Sequence, residues 1–328
     1  MGRLAGAMSC DPREGGGVFP ELFQGALSGD VHKLARCISL LEEGVEEAME
    51  AHSRLSPRRE KAPGQPQVIG LTGPPGAGKS CLVDCLVGRA RQEGRTVAVV
   101  AVDPSSPFSG GAILGDRLRM EQHALDPGVF IRSLSARGNL GGLTRATGQV
   151  VDLLDAVGWD LVIVETVGVG QSELAVCEIA DTAVVVMTPE SGDTVQAMKA
   201  GLTEIADVFL VNKADRPGAD LLCRELEAAV NLEEDPAWRA PVVATSATGG
   251  RGIEEAITAI DAHLEHSCGP GSEAWSERRA RGRLRSYLDL VGQEARSQAL
   301  EGLDADPATR EALLNGVIHP YALSRNQS

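Results

Sequence analysis

Aromatic side chains are scarce. Five Phe, three Trp and two Tyr among 328 residues mean that a core drawn from the 43% hydrophobic content is aliphatic. Basic residues are in deficit too, with 31 Lys and Arg against 46 Asp and Glu, for a formal net charge of −15. A chain of that sign is a poor candidate for general nucleic-acid binding, which depends on neutralising phosphates. Long apolar runs are missing: none approaches the roughly 18 residues of a membrane-spanning helix, so no membrane partner is expected. The seven cysteines, at positions 10, 37, 81, 85, 177, 223 and 268, contain no C-x-x-C pair, and the six histidines form no cluster. Several cysteines sit inside apolar segments, which suits a reducing compartment better than a disulfide framework. No signal-type hydrophobic stretch occurs over 1–20. The expectation is a cytoplasmic protein.

What the chain does have is a stretch that organises the rest. The apolar run 68–72 leads into Gly73-Pro74-Pro75-Gly76-Ala77-Gly78-Lys79-Ser80, and a helix-compatible segment follows from Cys81. Strand, glycine-rich loop and helix are the context a phosphate-binding P-loop requires. Glycines let backbone N–H groups turn onto phosphate oxygens at a helix N-terminus that favours anions. Lys79 can reach the outer phosphates, and the Ser80 hydroxyl can ligate Mg²⁺.

The length allows one large α/β domain with appendages, or two domains. Residues 1–19 read as a glycine-bearing tail. Apolar residues then recur at helical spacing over 22–47, broken at Ser28-Gly29-Asp30, which reads as two helices with Asp30 as an N-cap. Residues 53–66 read as a basic, proline-bearing linker. From 67 onward, seven short apolar runs (68–72, 96–102, 129–133, 161–165, 182–187, 208–212 and 241–245) alternate with helical patterns. Runs apolar on both faces suit strands covered by helices on either side, so the expected fold is α/β, a doubly wound, mostly parallel sheet. The expected boundaries are a tail over 1–19, an N-terminal helical extension and linker over 20–66, a P-loop domain over 67–267 and a C-terminal helical arm over 268–328. In the arm, Trp275, Leu284, Tyr287, Leu288 and Val291 recur at helical periods.

Ligands of such sheets gather at the carboxyl ends of the strands. There stand Asn212-Lys213-Ala214-Asp215, a guanine-reading pattern in which the Asp carboxylate accepts from the ring N–H and the exocyclic amine. Ser246-Ala247-Thr248 fits a second base-contacting loop, where a backbone N–H can meet the guanine carbonyl. Asp103, Asp116 and Glu165 are acidic residues at strand ends or in the loops beyond. Mg²⁺ keeps several waters, so one or two carboxylates with Ser80 and phosphate oxygens suffice. Asp103 and Glu165 are expected near the metal and Asp116 on a mobile loop, although Asp116 would also serve as a helix N-cap before Arg117. Gly168 and Gly170 permit a loop that moves with the γ-phosphate. Arg132, Arg137 and Arg145 are candidates for nucleotide or partner contact, or for structural pairing. Cys81 and Cys85, at i and i+4, are expected to pack in the core rather than hold a metal.

Taken together, the P-loop, Asp103-Pro104-Ser105-Ser106-Pro107, the 110–116 block, Glu165-Thr166-Val167-Gly168-Val169-Gly170-Gln171-Ser172-Glu173 and the 192–199 block resemble the MeaB/ArgK family of P-loop GTPases over about residues 20–320. The resemblance implies a cytosolic homodimer that binds GTP/GDP and Mg²⁺. It also implies an auxiliary role toward an adenosylcobalamin-dependent acyl-CoA mutase, typically methylmalonyl-CoA mutase, gating cofactor loading and protecting the mutase. Carried onto this chain, it gives Lys79 to phosphate, Ser80 and Asp103 to Mg²⁺, Asp116 and Glu165 to the catalytic region, and Asp215 to guanine. It makes Gln196 and Lys199 part of a switch facing the mutase, and the C-terminal arm an element of dimerisation. Cys81 departs from the family, where Thr is more usual; with Ser80 intact, Mg²⁺ binding is expected to survive. The alternatives weighed are a nickel metallochaperone GTPase, which would need a His- or Cys-rich metal site, and a phosphotransferase, which would need an acceptor hydroxyl.

Overall fold

A computed structural model of the protein describes residues 18–55, 67–103, 123, 125–135, 140–166, 176, 179–191, 205–232, 237–268, 274–315 and 317. Each of the seven apolar runs forms a strand: β1 (Gln67–Thr72), β2 (Val97–Asp103), β3 (Val129–Ser135), β4 (Leu161–Thr166), β5 (Thr182–Met187), β6 (Val208–Val211) and β7 (Val242–Ala244). They make one sheet in the order β3-β2-β4-β1-β5-β6-β7, and every ladder is parallel. β1 lies at the centre, where the strand order turns, and its carboxyl end opens on the crevice that such sheets use for ligands.

Alternation of side chains along each strand divides the core between two faces. Val68, Ala98, Val100, Val162 and Val164 point to one side. There they meet α5 (Leu140–Val157) and the N-terminal helices α1 (Val18–Leu27) and α2 (Val31–Glu43), with the short α3 (Glu46–Ser53). Their neighbours Ile69, Leu71, Val99, Ile163, Val184 and Leu210 point to the other side, against α4 (Lys79–Gln92) and α7 (Ile253–Cys268). Val185, Met187, Phe209 and Val211 complete a third cluster with α6 (Ala219–Val230). A strand covered on both faces has no polar side to present, which is why these sequences read as continuous apolar runs.

Asp30 caps α2 as the sequence indicates, its Oδ1 accepting from His32 N at 3.0 Å and Lys33 N at 3.1 Å. The region holds a third helix, α3, that the periodicity of 22–47 does not announce. α1 begins at Val18, earlier than the expected end of the tail at residue 19, because Phe19 is buried in the shared core. Burying Phe19, Leu34, Ile38 and Leu41 is worth about 1.5–3 kcal/mol each, so these helices are held by the sheet rather than appended to it. Arg132 belongs to the same contact: from β3 it pairs with Glu42 and donates to Ser39 Oγ at 3.1 Å on α2. Of the two readings the sequence leaves for it, the structural one holds.

The opposite, amino-terminal edge of the sheet carries a buried polar node. Asp207, just before β6, accepts from Ala183 N at 2.7 Å and from Arg278 Nη2 at 2.7 Å, and lies 3.2 Å from His263 Nε2. His263 Nδ1 in turn lies 3.0 Å from Thr182 Oγ1. Burial alone would push the Asp207 carboxyl up, but the Arg278 guanidinium and His263 outweigh it and hold it below the ordinary carboxylate range. Arg278 lies in the first turns of α8 (Ala274–Ala305). By packing, the chain divides into two compact units, 1–282 and 283–328, so the division falls inside α8. The second unit contains the rest of α8 and α9 (Pro307–Leu314), the latter capped by Asp306, which accepts from Thr309 N at 3.2 Å. No helix among the described residues is long and apolar enough to cross a membrane.

Candidate nucleotide site

The loop from Gly73 to Gly78 links the carboxyl end of β1 to the start of α4. Two of its glycines are required by geometry. Gly73 has φ +142°, and a Cβ there would sit 2.1 Å from the Val186 carbonyl oxygen of the neighbouring strand. Gly78 has φ +87°, and a Cβ would meet Asn212 Nδ2 at 2.3 Å. Only glycine combines a left-handed backbone with so close an approach. Lys79 is 6% exposed, and its ammonium donates to the carbonyls of Gly73 at 2.7 Å and Pro74 at 3.1 Å, which holds the charge over the loop.

Ser80 and Glu165 are both buried, and Ser80 Oγ donates to Glu165 Oε1 at 2.7 Å. Strand register explains the meeting: Leu71 pairs with Glu165, and Ala101 flanks it from β2. The carboxyl end of β4 is thereby placed beside the P-loop. A hydroxyl that gives its proton to a carboxylate keeps its oxygen lone pairs for a cation, so the pair is an all-oxygen donor set of the kind Mg²⁺ takes. Asp103 closes β2 in register with Ser135, one residue beyond the pairing of Val102 with Thr166, at the same rim of the sheet. Among the described residues, no group of three or more His, Cys, Asp or Glu is arranged to hold a metal.

The loops expected to read the base follow β6 and β7 and meet the P-loop at the same rim. Asn212 is 3% exposed, and its Nδ2 donates to the Ala77 carbonyl at 2.8 Å. Its Oδ1 accepts from Ala247 N at 3.2 Å and from Thr245 Oγ1 at 3.4 Å. Asp215 is exposed at the loop tip and accepts from Ser246 Oγ at 2.8 Å; that hydrogen bond, with one from its own backbone, holds its carboxyl below the ordinary range and keeps it ionised. Lys213 adopts φ +58°, the positive value found among described residues other than glycine. Ala247 and Thr248 lie in a single 3-10 turn, Ala247–Gly249, that follows Ser246.

One expectation is overturned here. Cys81 is exposed on the first turn of α4 rather than packed in the core, because its neighbours Ser80, Leu82 and Val83 take the buried positions there. Cys85 is half-buried, its Sγ donating to the Ala247 carbonyl at 3.5 Å, and burial with the nearby Asp84 and Cys81 pushes its thiol up. Asp116, Arg137, Gly168, Gly170, Gln196 and Lys199 lie outside the described residues, as do the side chains of Asp103 and Arg145. Two features had no sequence signal strong enough to find them: the bridge from Asn212 to Ala77, and Glu190, which pairs with Arg216 beside the base loop.

A parallel sheet with a Gly-x-x-x-x-Gly-Lys-Ser loop at its central strand, and an Asn-Lys-x-Asp loop bonded to that loop, defines a P-loop GTPase. The chain belongs to the family described as methylmalonyl-CoA mutase-associated GTPase MeaB, whose sequence model matches residues 34–301. It is similar to a protein of Pyrococcus abyssi whose name calls it a GTPase, at 50% identity over 249 residues that cover 75% of this chain and 76% of that one. The mouse methylmalonic aciduria type A homolog, a mitochondrial protein, is 40% identical over 195 residues, covering 57% of this chain and 46% of that one. Among solved structures, that of a LAO/AO transport system kinase is similar with a TM-score of 0.66 at 25% identity, covering 95% of this chain and 97% of that one.

Proposed function

We propose that this chain hydrolyses GTP to GDP and phosphate, and that it serves as the auxiliary GTPase of an adenosylcobalamin-dependent acyl-CoA mutase of the methylmalonyl-CoA mutase type. The observation that carries the GTPase reading is the bonded set Ala77–Asn212–Ala247 with Asp215 and Ser246, which ties the Asn-Lys-x-Asp loop to the P-loop and supports a site shared between them. The family match supports the mutase role.

In this reading the loop 73–80 and the first turn of α4, Cys81 included, cradle the phosphates through their backbone N–H groups, Pro74 and Pro75 having none to offer. Lys79 neutralises charge on the outer phosphates, where it builds up during transfer. Ser80 and Glu165, with Asp103 at the rim, would hold Mg²⁺, which would supply positive charge to offset that of the phosphates. Glu165 accepts the Ser80 proton and so orients that hydroxyl. Asp215 accepts from the guanine ring N–H and amine, the Ser246-Ala247-Thr248 loop offers a backbone N–H to the carbonyl side, and Lys213 lays its stem along the base. Asp116 completes the catalytic region. The Gln196–Lys199 region faces the mutase in this reading, and hydrolysis is slow until the mutase accelerates it.

The protein is read as a cytoplasmic homodimer. Support comes from α8, where Leu284, Tyr287, Leu288 and Val291 recur at i, i+3, i+4 and i+7 and are 59%, 61%, 59% and 45% exposed, a stripe suited to a second copy.

The test is the rate of phosphate release from GTP, with and without the apo form of methylmalonyl-CoA mutase from the same organism, with ATP as control. Acceleration by the mutase with GTP and none with ATP is expected. Absence of GTP hydrolysis would sink the enzyme assignment, and hydrolysis indifferent to the mutase would sink the partner. Labelled γ-phosphate recovered on an acceptor other than water would point to a phosphotransferase.

A further inference from the structure

Arg216 follows directly on Asp215, the carboxylate assigned to the guanine edge, and both residues are exposed. An arginine in that place is a hazard to the site. A guanidinium presents paired, coplanar N–H donors, the same pattern that guanine offers through its ring N–H and amine. If Asp215 folded onto Arg216, it would be occupied by a mimic of its own ligand.

The structure turns Arg216 elsewhere. Its Nη1 pairs with Glu190 Oε1, and Lys213 Nζ lies 3.9 Å from Glu190 Oε2. Asp215 is bonded to Ser246 instead, through Oδ1 at 2.8 Å. Glu190 stands in the 3-10 turn Pro189–Ser191, which follows β5. β5 and β6 are paired, and Asn212 N donates to Met187 O at 2.8 Å, so the turn bearing Glu190 and the loop bearing Asp215 leave the sheet side by side. One carboxylate from β5 therefore sits between two cations of the base loop.

We propose that Glu190 is a positioning residue for guanine recognition: it holds the Arg216 guanidinium and the Lys213 ammonium off Asp215 and keeps that carboxylate open to the base. The proposal rests on the guanine reading of Asp215. The charge balance agrees with it. Glu190 is the first influence raising Arg216, with Asp215 the last, and Arg216 is the first influence lowering Glu190. The pair is exposed, so it acts on a local competition and adds little to global stability.

The experiment measures GTP turnover and the binding of a fluorescent GDP analogue for the wild type, Glu190→Gln, Arg216→Gln and the double variant. Glu190→Gln is expected to weaken the analogue and raise KM for GTP by about threefold to fivefold, the scale of an exposed ion pair, with kcat unchanged. Arg216→Gln alone is expected to bind as well as the wild type or better. The double variant is expected to recover most of the lost affinity, because the competitor has gone. Raising the salt to about 1 M should shrink the Glu190→Gln defect. A simple tether predicts the opposite pattern, with both single variants and the double equally weak. That result, or an unaffected Glu190→Gln, would overturn the proposal. The same series includes wild-type preference for GTP over ATP and the response of Asp215→Asn to xanthosine triphosphate. If those fail, the guanine reading falls; if they hold and the rescue fails, only the role of Glu190 falls.

Discussion

Asn212 donates from Nδ2 to the Ala77 carbonyl at 2.8 Å, so the base-reading loop and the phosphate loop hold one another. Its Oδ1 accepts from Ala247 N at 3.2 Å, which draws in the loop after β7. A single buried amide thus joins three loops that are far apart in sequence. Asn212→Ala would leave the Ala77 carbonyl and the Ala247 N–H without these partners. The expected result is a fall in GTP and GDP affinity of about tenfold or more, consistent with the cost of orphaned buried polar groups. Equilibrium binding measures it. Affinity unchanged within twofold would show that the loops are set by the sheet alone.

In the proposed function, Lys79 and Asp215 divide recognition between charge and base. Lys79→Ala is expected to lower affinity for GTP and GDP alike by about a hundredfold, since the buried ammonium is the side-chain charge the loop carbonyls hold over the cradle. Unchanged GTP affinity would contradict the phosphate-cradle assignment. Asp215→Asn exchanges an acceptor for a donor toward the ring nitrogen, so preference is expected to move from GTP to xanthosine triphosphate. A preference that does not move would remove Asp215 from the base.

The hydrogen bond from Ser80 to Glu165 predicts a graded response to Mg²⁺. Ser80→Ala removes the hydroxyl proposed to ligate Mg²⁺, and the Mg²⁺ concentration for half-maximal GTP hydrolysis is expected to rise by about tenfold or more. Glu165→Gln keeps the shape, loses the charge and can no longer hold Ser80 in one orientation, so a smaller rise in Mg²⁺ requirement with a lower kcat is expected. Titration of hydrolysis and nucleotide binding against Mg²⁺ separates the two. Identical Mg²⁺ curves for wild type and Ser80→Ala would remove Ser80 from the metal.

The Asp207–His263–Arg278 node governs stability at the far edge of the sheet. The Asp207 carboxyl titrates below its ordinary range in the folded protein. Its contribution is therefore complete above the unfolded value, near 3.9 for an aspartate, and is lost as the pH falls through the lower folded value. Asp207→Asn removes the carboxylate that accepts from Arg278 Nη2 and lies against His263, and a loss of about 3 kcal/mol at pH 7 is expected. Urea unfolding should show that difference constant from about pH 5 to pH 8 and narrowing below about pH 4. A difference that widens on acidification would reverse the assigned sign.

The sequence by itself determined the seven strands, their all-apolar faces, the P-loop and the Asn-Lys-x-Asp loop. These are legible because a strand buried on both sides must be apolar throughout, and because phosphate and guanine recognition need particular residue types at short, fixed spacing. The Asp30 cap was legible for the same local reason. Only the tertiary structure decided the strand order, and with it that Glu165 meets Ser80 across 85 residues and Asn212 meets Ala77 across 135. Sheet register sets those meetings, and no local pattern encodes register between strands so far apart. The same holds for Glu190 beside Arg216 and for Asp207 beneath Arg278, whose partners arrive on other elements. Phe19 and Phe23, stacked with ring centroids 5.9 Å apart, belong to the core for a related reason: their helical spacing marks a buried face, and only the sheet that receives that face shows where it belongs.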